Sequence, residues 1–272
     1  MIDLKEVITL IKEQIQNLPI MFRVSKYQDK SDYQSHYLGI VWAYLYPIIQ
    51  ILIYWLVFGV GLKKGTSGSV DYLTWMVIGI TPWFYMNSVT LDASKSIYQQ
   101  VGMVSKMKFP VSVLPSIKIL TNLSSFWAML ACSIILGYLK GGVLPNLYWI
   151  QWLYYFFAMI CWLLAFGIFN STVTILVRDY RIFLQSIMRV LFYMSGVLFN
   201  FETNAFPAFF VRFLQLNPFF YIVSGFRESM LGEAWFWQKP MLMLIFWLTV
   251  LFFLLVGSHL HYKFRARFVD YI

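Results

Sequence analysis

The sequence predicts an all-α integral membrane protein with six transmembrane helices, an N-terminal amphipathic interfacial helix, and re-entrant helices between spans five and six. Composition is the first observation. Of the 272 residues, 60% are hydrophobic and 12% are charged, whereas soluble domains contain roughly 25% charged residues. The second observation is that long uncharged stretches recur along the chain, and a membrane-spanning helix needs about 20 such residues. These features exclude a soluble enzyme and a disordered protein.

The gaps between charged residues predict the individual spans. Five gaps are long and uncharged: 38–62, 72–91, 119–139, 141–177, in which the helix starts after Pro145, and 240–262. A further span starts at Ile182 and precedes the last of these gaps. Charges and prolines then interrupt the apolar sequence at Arg189, Glu202, Pro207, Arg212 and the Asn217-Pro218 pair. Because broken backbone at membrane depth needs protein or water around it, this region predicts re-entrant helices.

The distribution of Lys and Arg predicts the orientation of the spans. Thirteen of the 21 basic residues fall on the side of both termini and six on the other side. The positive-inside rule therefore places both termini in the cytoplasm of a multi-pass plasma-membrane protein. The predicted organisation is an amphipathic or interfacial cytoplasmic segment at 1–37, a six-span domain at 38–262 and a cytoplasmic tail at 263–272.

The first segment contains a predicted amphipathic helix that ends at Pro19. Its apolar residues recur at helical spacing: Leu4, Val7, Ile8, Ile11, Ile15 and Leu18. Two interpretations remain open, since such a helix packs on other protein or lies in the membrane interface.

Motifs for chemistry on this chain are missing from the sequence. It contains no G-x-x-x-x-G-K-[ST] loop, no G-x-S-x-G elbow and no H-E-x-x-H motif, so the chain is not expected to hydrolyse ATP or to be an enzyme. Cys132 and Cys161 lie within predicted spans, which favours buried thiols over a metal site. The basic residues are scattered over short loops, which argues against nucleic acid as a partner. Few acidic residues occur in the spans, which weakens an ion-coupled carrier or channel.

Aromatic residues are abundant in and near the predicted spans, and two interpretations of them stay open. Trp and Tyr form belts at membrane interfaces, but aromatic rings also stack on sugars. The candidates for a substrate passage are Trp42, Tyr46 and Tyr193, together with Arg189. Arg189 belongs to this set because a charge seven residues into a span needs a partner or a watery cavity.

Five segments in order resemble the type-2 ABC exporter permeases that move lipid-linked polysaccharides. They are residues 37–42, 54–61, the Lys-Met-Lys-Phe-Pro-Val-Ser loop at 106–112, 177–179, and Asn217-Pro218 followed by Arg227. Residues 54–61 and 106–112 are most similar to permeases for wall teichoic acid. The resemblance implies export of teichoic acid on undecaprenyl pyrophosphate, with O-antigen or capsule as the alternative. A membrane-embedded transferase acting on the same lipid-linked sugars is a further alternative, disfavoured by the scarcity of acidic residues.

The same resemblance implies partners and cofactors. Two identical permease copies would join two separate nucleotide-binding ATPase subunits, which bind ATP and Mg, so this chain carries no cofactor itself. Membrane lipids and the lipid-linked polymer are the other partners. The passage is expected between the two copies, at spans one and five.

Two groups of site residues follow from this expectation. The segment from Ser94 to Phe109, predicted as the connection between spans two and three, is the candidate coupling site to the ATPase, with Ser94, Lys95, Lys106, Met107, Lys108 and Phe109 as its contacts. An ordinary solvated connection is the alternative. The site where the pyrophosphate group enters from the cytoplasm is predicted at Arg23, Lys26, Arg178 and Arg181. Pyrophosphate is best held by charge-assisted hydrogen bonds, which are often bidentate. For these residues, a role in topology is the alternative, as is pairing of Arg178 with Asp179.

Overall fold

The computed structural model describes residues 4–34, 37–39, 41–57, 66–67, 70–104, 110–140, 143–177, 179–201 and 207–271. These residues form eleven α-helices: α1 (Leu4–Gln16), α2 (Leu18–Gln34), α3 (Val41–Tyr54), α4 (Tyr72–Val104), α5 (Leu114–Thr121), α6 (Leu123–Lys140), α7 (Gln151–Leu176), α8 (Tyr180–Met194), α9 (Ala208–Gln215), α10 (Pro218–Leu231) and α11 (Pro240–Phe264). Two short strands, β1 (Thr66–Ser67) and β2 (Val70–Asp71), pair antiparallel before α4.

Helix α4 lies at the centre of the bundle. It packs against α5, α6, α7, α8 and α10. All of its side chains from Tyr72 to Trp83 are buried, and the first partly exposed side chain after them is that of Phe84. Burial by other helices allows this helix to carry Thr, Trp and Asn side chains at positions that would be unfavourable against lipid.

Three helical stretches are long and apolar enough to cross a membrane: Val111–Lys140, Leu147–Leu176 and Pro240–Phe268. They correspond to predicted spans three, four and six. A fourth arises if the pair Phe209–Gln215 and Pro218–Leu231, which meet at 90°, forms one broken span or a re-entrant loop. The bend lies at Asn217, whose side-chain oxygen accepts a hydrogen bond from the backbone N–H of Phe219 at 3.0 Å. The helices are therefore broken at the predicted Asn217-Pro218 pair, while a re-entrant path for them stays a prediction.

The prediction of a connection beginning at Ser94 is wrong, because α4 continues as a helix to Val104. Buried residues continue past the predicted end of the span, including Ala93 and Ile97, which are both fully buried. The charged residues Asp92 and Lys95 lie beside the packed face and pair with each other at 2.8 Å. Charge thus marks the end of the apolar stretch here without ending the helix.

Two other boundaries differ from the predicted ones. Predicted span three starts at 119, but the helix starts at Leu114 and is interrupted at Asn122. The first helix was predicted to end at Pro19, but α2 already begins at Leu18. Proline is compatible with the first turn of a helix because the N–H it lacks has no partner there.

Helix α1 has two apolar faces. Val7 and Leu10 are buried against the protein, and the buried Gln14 side chain donates to the Ser112 carbonyl at 3.0 Å. Ile8 and Ile15 lie on the exposed side. Helix α1 therefore packs on its own chain through one face and leaves an apolar face outward. Its position relative to the membrane interface stays a prediction.

Candidate functional site

Two polar regions lie along α4, on opposite halves of the bundle. Trp75 is in the first turn of α4, and Lys95 follows 20 residues later, about 30 Å along the helix axis. We call these regions the Trp75 end and the Lys95 end.

A polar cavity of about 260 Å³ opens at the Lys95 end. Three parts of the fold form it: α4, the α5–α6 junction and the start of α8. Its lining residues are Asn87, Ser88, Leu91, Asp92, Lys95, Asn122, Arg181 and Gln185. We call it the Lys95-end cavity.

The acidic residue in this cavity is already engaged. Asp92 pairs with Lys95 Nζ at 2.8 Å through one oxygen. Its other oxygen accepts a hydrogen bond from Asn122 Nδ2 at 3.2 Å. The break in the α5–α6 helix places Asn122 here, since its amide also donates to the Lys118 carbonyl at 3.0 Å. The carboxylate therefore compensates the charge of Lys95.

Arg181 differs from Lys95 in its charge balance. It is exposed in the first turn of α8, and none of the described acidic side chains lies within ion-pair distance of it. The cavity thus combines one uncompensated guanidinium with amide and hydroxyl donors from Asn87, Ser88 and Gln185. Such a donor set suits an anion with several oxygen atoms, because hydrogen bonds from a guanidinium to anionic oxygens are short and strong.

The predicted entrance residues do not all meet in this cavity. Arg181 lines it, whereas Arg23 and Lys26 are exposed on α2 and are absent from its lining. Helix α2 does reach the neighbourhood, since Lys118 Nζ donates to Gln28 Oε1 at 2.9 Å. Arg178 lies outside the described residues.

The predicted coupling residues also separate. Ser94 is fully buried, and its hydroxyl donates to the Leu91 carbonyl at 2.8 Å, so its side chain offers no surface to another subunit. Lys95 lines the cavity beside Asp92. Lys106, Met107, Lys108 and Phe109 lie outside the described residues.

The predicted passage residues lie on two helices that meet. Helices α3 and α8 contact through Tyr54 and Phe192, whose ring centroids are 5.2 Å apart. Arg189 and Tyr193 are both exposed and lie one helical turn apart on α8. Arg189 has no hydrogen-bond or ion-pair partner in the described part of the chain.

The other two passage residues are on α3. Tyr46 is 61% exposed and Trp42 is 38% exposed. The Tyr46 hydroxyl accepts a hydrogen bond from Gln50 at 2.9 Å. Tyr46 lies eight residues before Tyr54, about 12 Å along α3, so Trp42 and Tyr46 extend the α3 side of the contact toward the beginning of that helix.

The Trp75 end contains a buried arginine whose role sequence reasoning missed. Arg227 on α10 donates from Nε to the Trp75 carbonyl at 3.1 Å, from Nη1 to the Gly196 carbonyl at 2.5 Å and from Nη2 to the Val197 carbonyl at 2.8 Å. Its guanidinium carbon lies 3.5 Å from the centroid of the Trp75 ring. Arg227 thereby joins the start of α4, the turn after α8 and α10. The sequence signal for it is an adjacent pair of charges, Arg227 and Glu228, within the apolar run of α10, which does not reveal the three carbonyls.

Comparison with known proteins identifies the family. The profile of the ABC-2 type transporter family matches residues 21–231, which is most of the chain. This chain belongs to the ABC-2 type transporter family. ABC-2 permeases are the transmembrane, non-catalytic subunits of their transporters, which agrees with the absence of a phosphate-binding loop in the sequence.

Curated relatives cover most of the ABC-2 chain. It is 22% identical over 225 residues to the O-antigen export system permease protein RfbA of Myxococcus xanthus, an alignment that covers 81% of this chain and 83% of the relative. Two RfbA proteins of Klebsiella pneumoniae are 21% and 23% identical over 243 and 246 residues, and each alignment covers 89% of this chain and 90% of the relative. The resemblance to ABC exporter permeases for polysaccharides is thus confirmed at the family level. The narrower similarity to teichoic acid permeases is not supported by these relatives.

Proposed function

We propose that this chain is the permease subunit of an ATP-driven exporter that moves a lipid-linked polysaccharide across the plasma membrane to the cell surface. The family match and the names of the three relatives support this proposal. Those names favour an O-antigen type of polymer over wall teichoic acid, so the alternative cargo becomes the preferred one.

The proposed membrane arrangement has six spans with both termini in the cytoplasm. Helices α3, α4 and α8 supply the three spans that hydropathy and length do not identify. The central position of α4 supports this arrangement, because a helix covered by its neighbours does not need an apolar surface. In this orientation the Lys95 end faces the cytoplasm and the Trp75 end faces outward.

ATP hydrolysis is proposed to take place on subunits separate from this chain. Two nucleotide-binding subunits would bind ATP and Mg, and two copies of the permease would form the membrane part. Copurification of an ATPase subunit with the tagged permease, and export that stops when its ATP-binding site is inactivated, are the expected results. Export that continues without ATP and stops when the ion gradient is collapsed would instead establish a carrier.

The Lys95-end cavity is proposed to recognise the substrate by binding the pyrophosphate of its lipid carrier. Arg181 is proposed to supply the main positive charge. The supporting observation is that Asp92 compensates Lys95 while Arg181 has no acidic partner among the described residues. A pyrophosphate would therefore find one uncompensated cation and several neutral donors at the cytoplasmic side.

Replacement of Arg181 by glutamine tests this site. A hydrogen bond to a charged group contributes about 1.5–3 kcal/mol, so Arg181→Gln is expected to raise the concentration of lipid-linked glycan needed for half-maximal ATPase stimulation about tenfold or more. Arg181→Lys keeps the charge but loses the planar fork and should be intermediate. The matched control is Arg212→Gln, which removes an exposed arginine on α9 away from this cavity. Equal half-maximal concentrations for the Arg181→Gln and Arg212→Gln complexes would contradict the assignment.

A further inference from the structure

We propose that a second cavity, at the Trp75 end, binds a neutral sugar unit of the exported glycan. This inference rests on the proposed function for the nature of the cargo. The cavity has a volume of about 360 Å³, which falls within the range of roughly 300–1,000 Å³ of small-molecule sites. We call it the Trp75-end cavity.

Both kinds of side chain that recognise sugars line this cavity. Its aromatic members are Trp75, Phe199, Phe201 and Phe220, and its polar members are Asn200, Ser224, Arg227, Glu228, Glu233 and Lys239. The ring centroids of Phe199 and Phe201 are 6.3 Å apart, and those of Phe201 and Phe220 are 6.4 Å apart. Aromatic rings pack against the apolar C–H faces of a sugar, while carboxylate, amide and hydroxyl groups bond its hydroxyls.

The polar wall is held in place before any ligand arrives. Three backbone carbonyls hold the Arg227 guanidinium. Glu228 accepts a hydrogen bond from Lys239 Nζ at 2.6 Å. Groups fixed in this way lose little entropy when a ligand binds, which favours a binding site over a merely solvated surface.

The charges of the lining residues indicate the class of ligand. Arg227 and Lys239 are matched by Glu228 and Glu233. Among the described lining residues, this balanced set of two cations and two carboxylates does not select a phosphate. Arg181 at the Lys95 end differs, because it has no acidic partner in the described part of the chain. It also disfavours a lipid tail, because charged groups bordering a hydrocarbon chain lose hydration without gaining a partner. A neutral saccharide gains hydrogen bonds from both signs of charge.

The place of the cavity in the fold fits a glycan leaving the passage. The turn that includes Gly196 and Phe199 forms part of its wall and directly follows α8. Helix α8 carries Arg189 and Tyr193, the proposed passage residues. A polymer that moves along α8 in the proposed direction therefore reaches this cavity as it leaves the helix.

Saturation-transfer NMR on the permease–ATPase complex in nanodiscs tests the inference. The probes are the methyl glycosides of glucose, galactose, mannose, rhamnose and N-acetylglucosamine. At least one is expected to receive saturation on its ring protons. Ser224→Leu fills the cavity with a larger side chain and should lower that signal at least fivefold. Thr249→Leu makes the same kind of change on α11, outside the cavity lining, and should leave it unchanged.

A second variant guards against a folding defect in the first. Glu233 is exposed, so Glu233→Gln removes one hydrogen-bonding charge without disturbing the core, and it should lower the glycoside signal about threefold or more. No transfer to any glycoside, or equal transfer in Ser224→Leu, Glu233→Gln and the control, would overturn the inference. Polysaccharide export by the same complex is measured in parallel. Export without glycoside binding rejects this site alone, whereas absence of export by the unmodified complex rejects the proposed function.

Discussion

Arg227 and Gly79 form a pair that depends on the absence of a side chain. A Cβ atom added at Gly79 would lie 2.0 Å from Arg227 Nη2, so the guanidinium occupies the space that a larger residue would need. Two of the three carbonyls that Arg227 binds, those of Gly196 and Val197, lie in the turn after α8, so loss of the guanidinium leaves these two without this donor. Each unsatisfied buried group costs about 1–3 kcal/mol.

A double-mutant cycle tests this pair. Arg227→Leu is expected to destabilise the permease by at least about 2 kcal/mol, through lost hydrogen bonds to buried carbonyls. Gly79→Ala should also destabilise it, because the guanidinium must move. In the double variant the added methyl group meets no guanidinium, so the two effects should be smaller together than their sum. The measurement is the thermal unfolding midpoint of the purified protein in detergent.

The control for this cycle is Gly137→Ala. There the added Cβ would lie 3.4 Å from Val143 Cβ, an ordinary packing distance, so the midpoint should change little. Strict additivity of Gly79→Ala and Arg227→Leu would show that the two residues do not act as a pair.

Single residues were predictable from the sequence to different degrees. Arg181 was predicted to bind pyrophosphate from its residue type and its place before span five. The structure places it in the lining of a cavity, and the ligand role stays a prediction. Ser94 was assigned to a subunit contact, but the packing of α4 buries it. The partners of Arg227 are backbone atoms distant in sequence, and residue types alone carry no information about them.

At the scale of elements, α1 is joined to the segment that follows residues 105–109. The Ser112 hydroxyl donates to Glu13 Oε2 at 2.5 Å, and Gln14 Nε2 donates to the Ser112 carbonyl at 3.0 Å. Glu13 also accepts a hydrogen bond from Arg265, just after α11, at 3.4 Å. Helix α1 therefore connects the proposed coupling region with the end of the last span.

This connection predicts a coupling phenotype. If the conformational change of the ATPase is transmitted to the permease between Lys95 and Phe109, Glu13→Ala should lower polysaccharide export severalfold while the complex still hydrolyses ATP. The variant loses the Ser112–Glu13 bond and the Glu13–Arg265 bond, so that only the bond from Gln14 still joins Ser112 to α1. Lys12→Ala is the control on the same helix, since Lys12 is exposed. The ratio of polymer exported to ATP hydrolysed is the quantity to measure. An unchanged ratio in Glu13→Ala would separate α1 from the coupling path.

Strongly apolar elements were predictable, whereas elements shaped by tertiary contacts were not. The stretches containing α6, α7 and α11 stand out because they face an apolar environment over a length of about 20 residues or more. The extension of α4 past Leu91 depends on burial of Ala93 and Ile97. At the interruption, Asn122 donates a hydrogen bond to Asp92 on another helix, a contact that local periodicity does not reveal.

At the scale of the whole molecule, the exposed faces of α3 and α8 point to a second copy. Arg189 is exposed beside apolar neighbours such as Val190 and Tyr193, which is 53% exposed. An arginine at the centre of a lipid-facing helix costs roughly 2.5–3.5 kcal/mol on insertion scales. A partner copy that encloses a watery passage between the two α8 helices would remove this cost, so we expect a homodimer with Arg189 facing its interior.

Site-directed cross-linking tests the dimer and its interface. In a two-fold interface, a residue that lies close to the symmetry axis is also close to the same residue of the partner, and a passage between the two α8 helices would place Tyr193 there. In a chain with Cys132 and Cys161 replaced by alanine, Tyr193→Cys is therefore expected to give a covalent permease dimer with a short bifunctional thiol reagent. Phe252→Cys, at an exposed position on α11, is the control, and this variant should remain monomeric.

Export by the Arg189→Leu variant tests the role of the same helix in transport. Leucine favours membrane insertion, so loss of export in a normally assembled complex would assign Arg189 to the passage. Cross-linking at Phe252 and not at Tyr193, or export at the unmodified rate by Arg189→Leu, would move the passage away from α8.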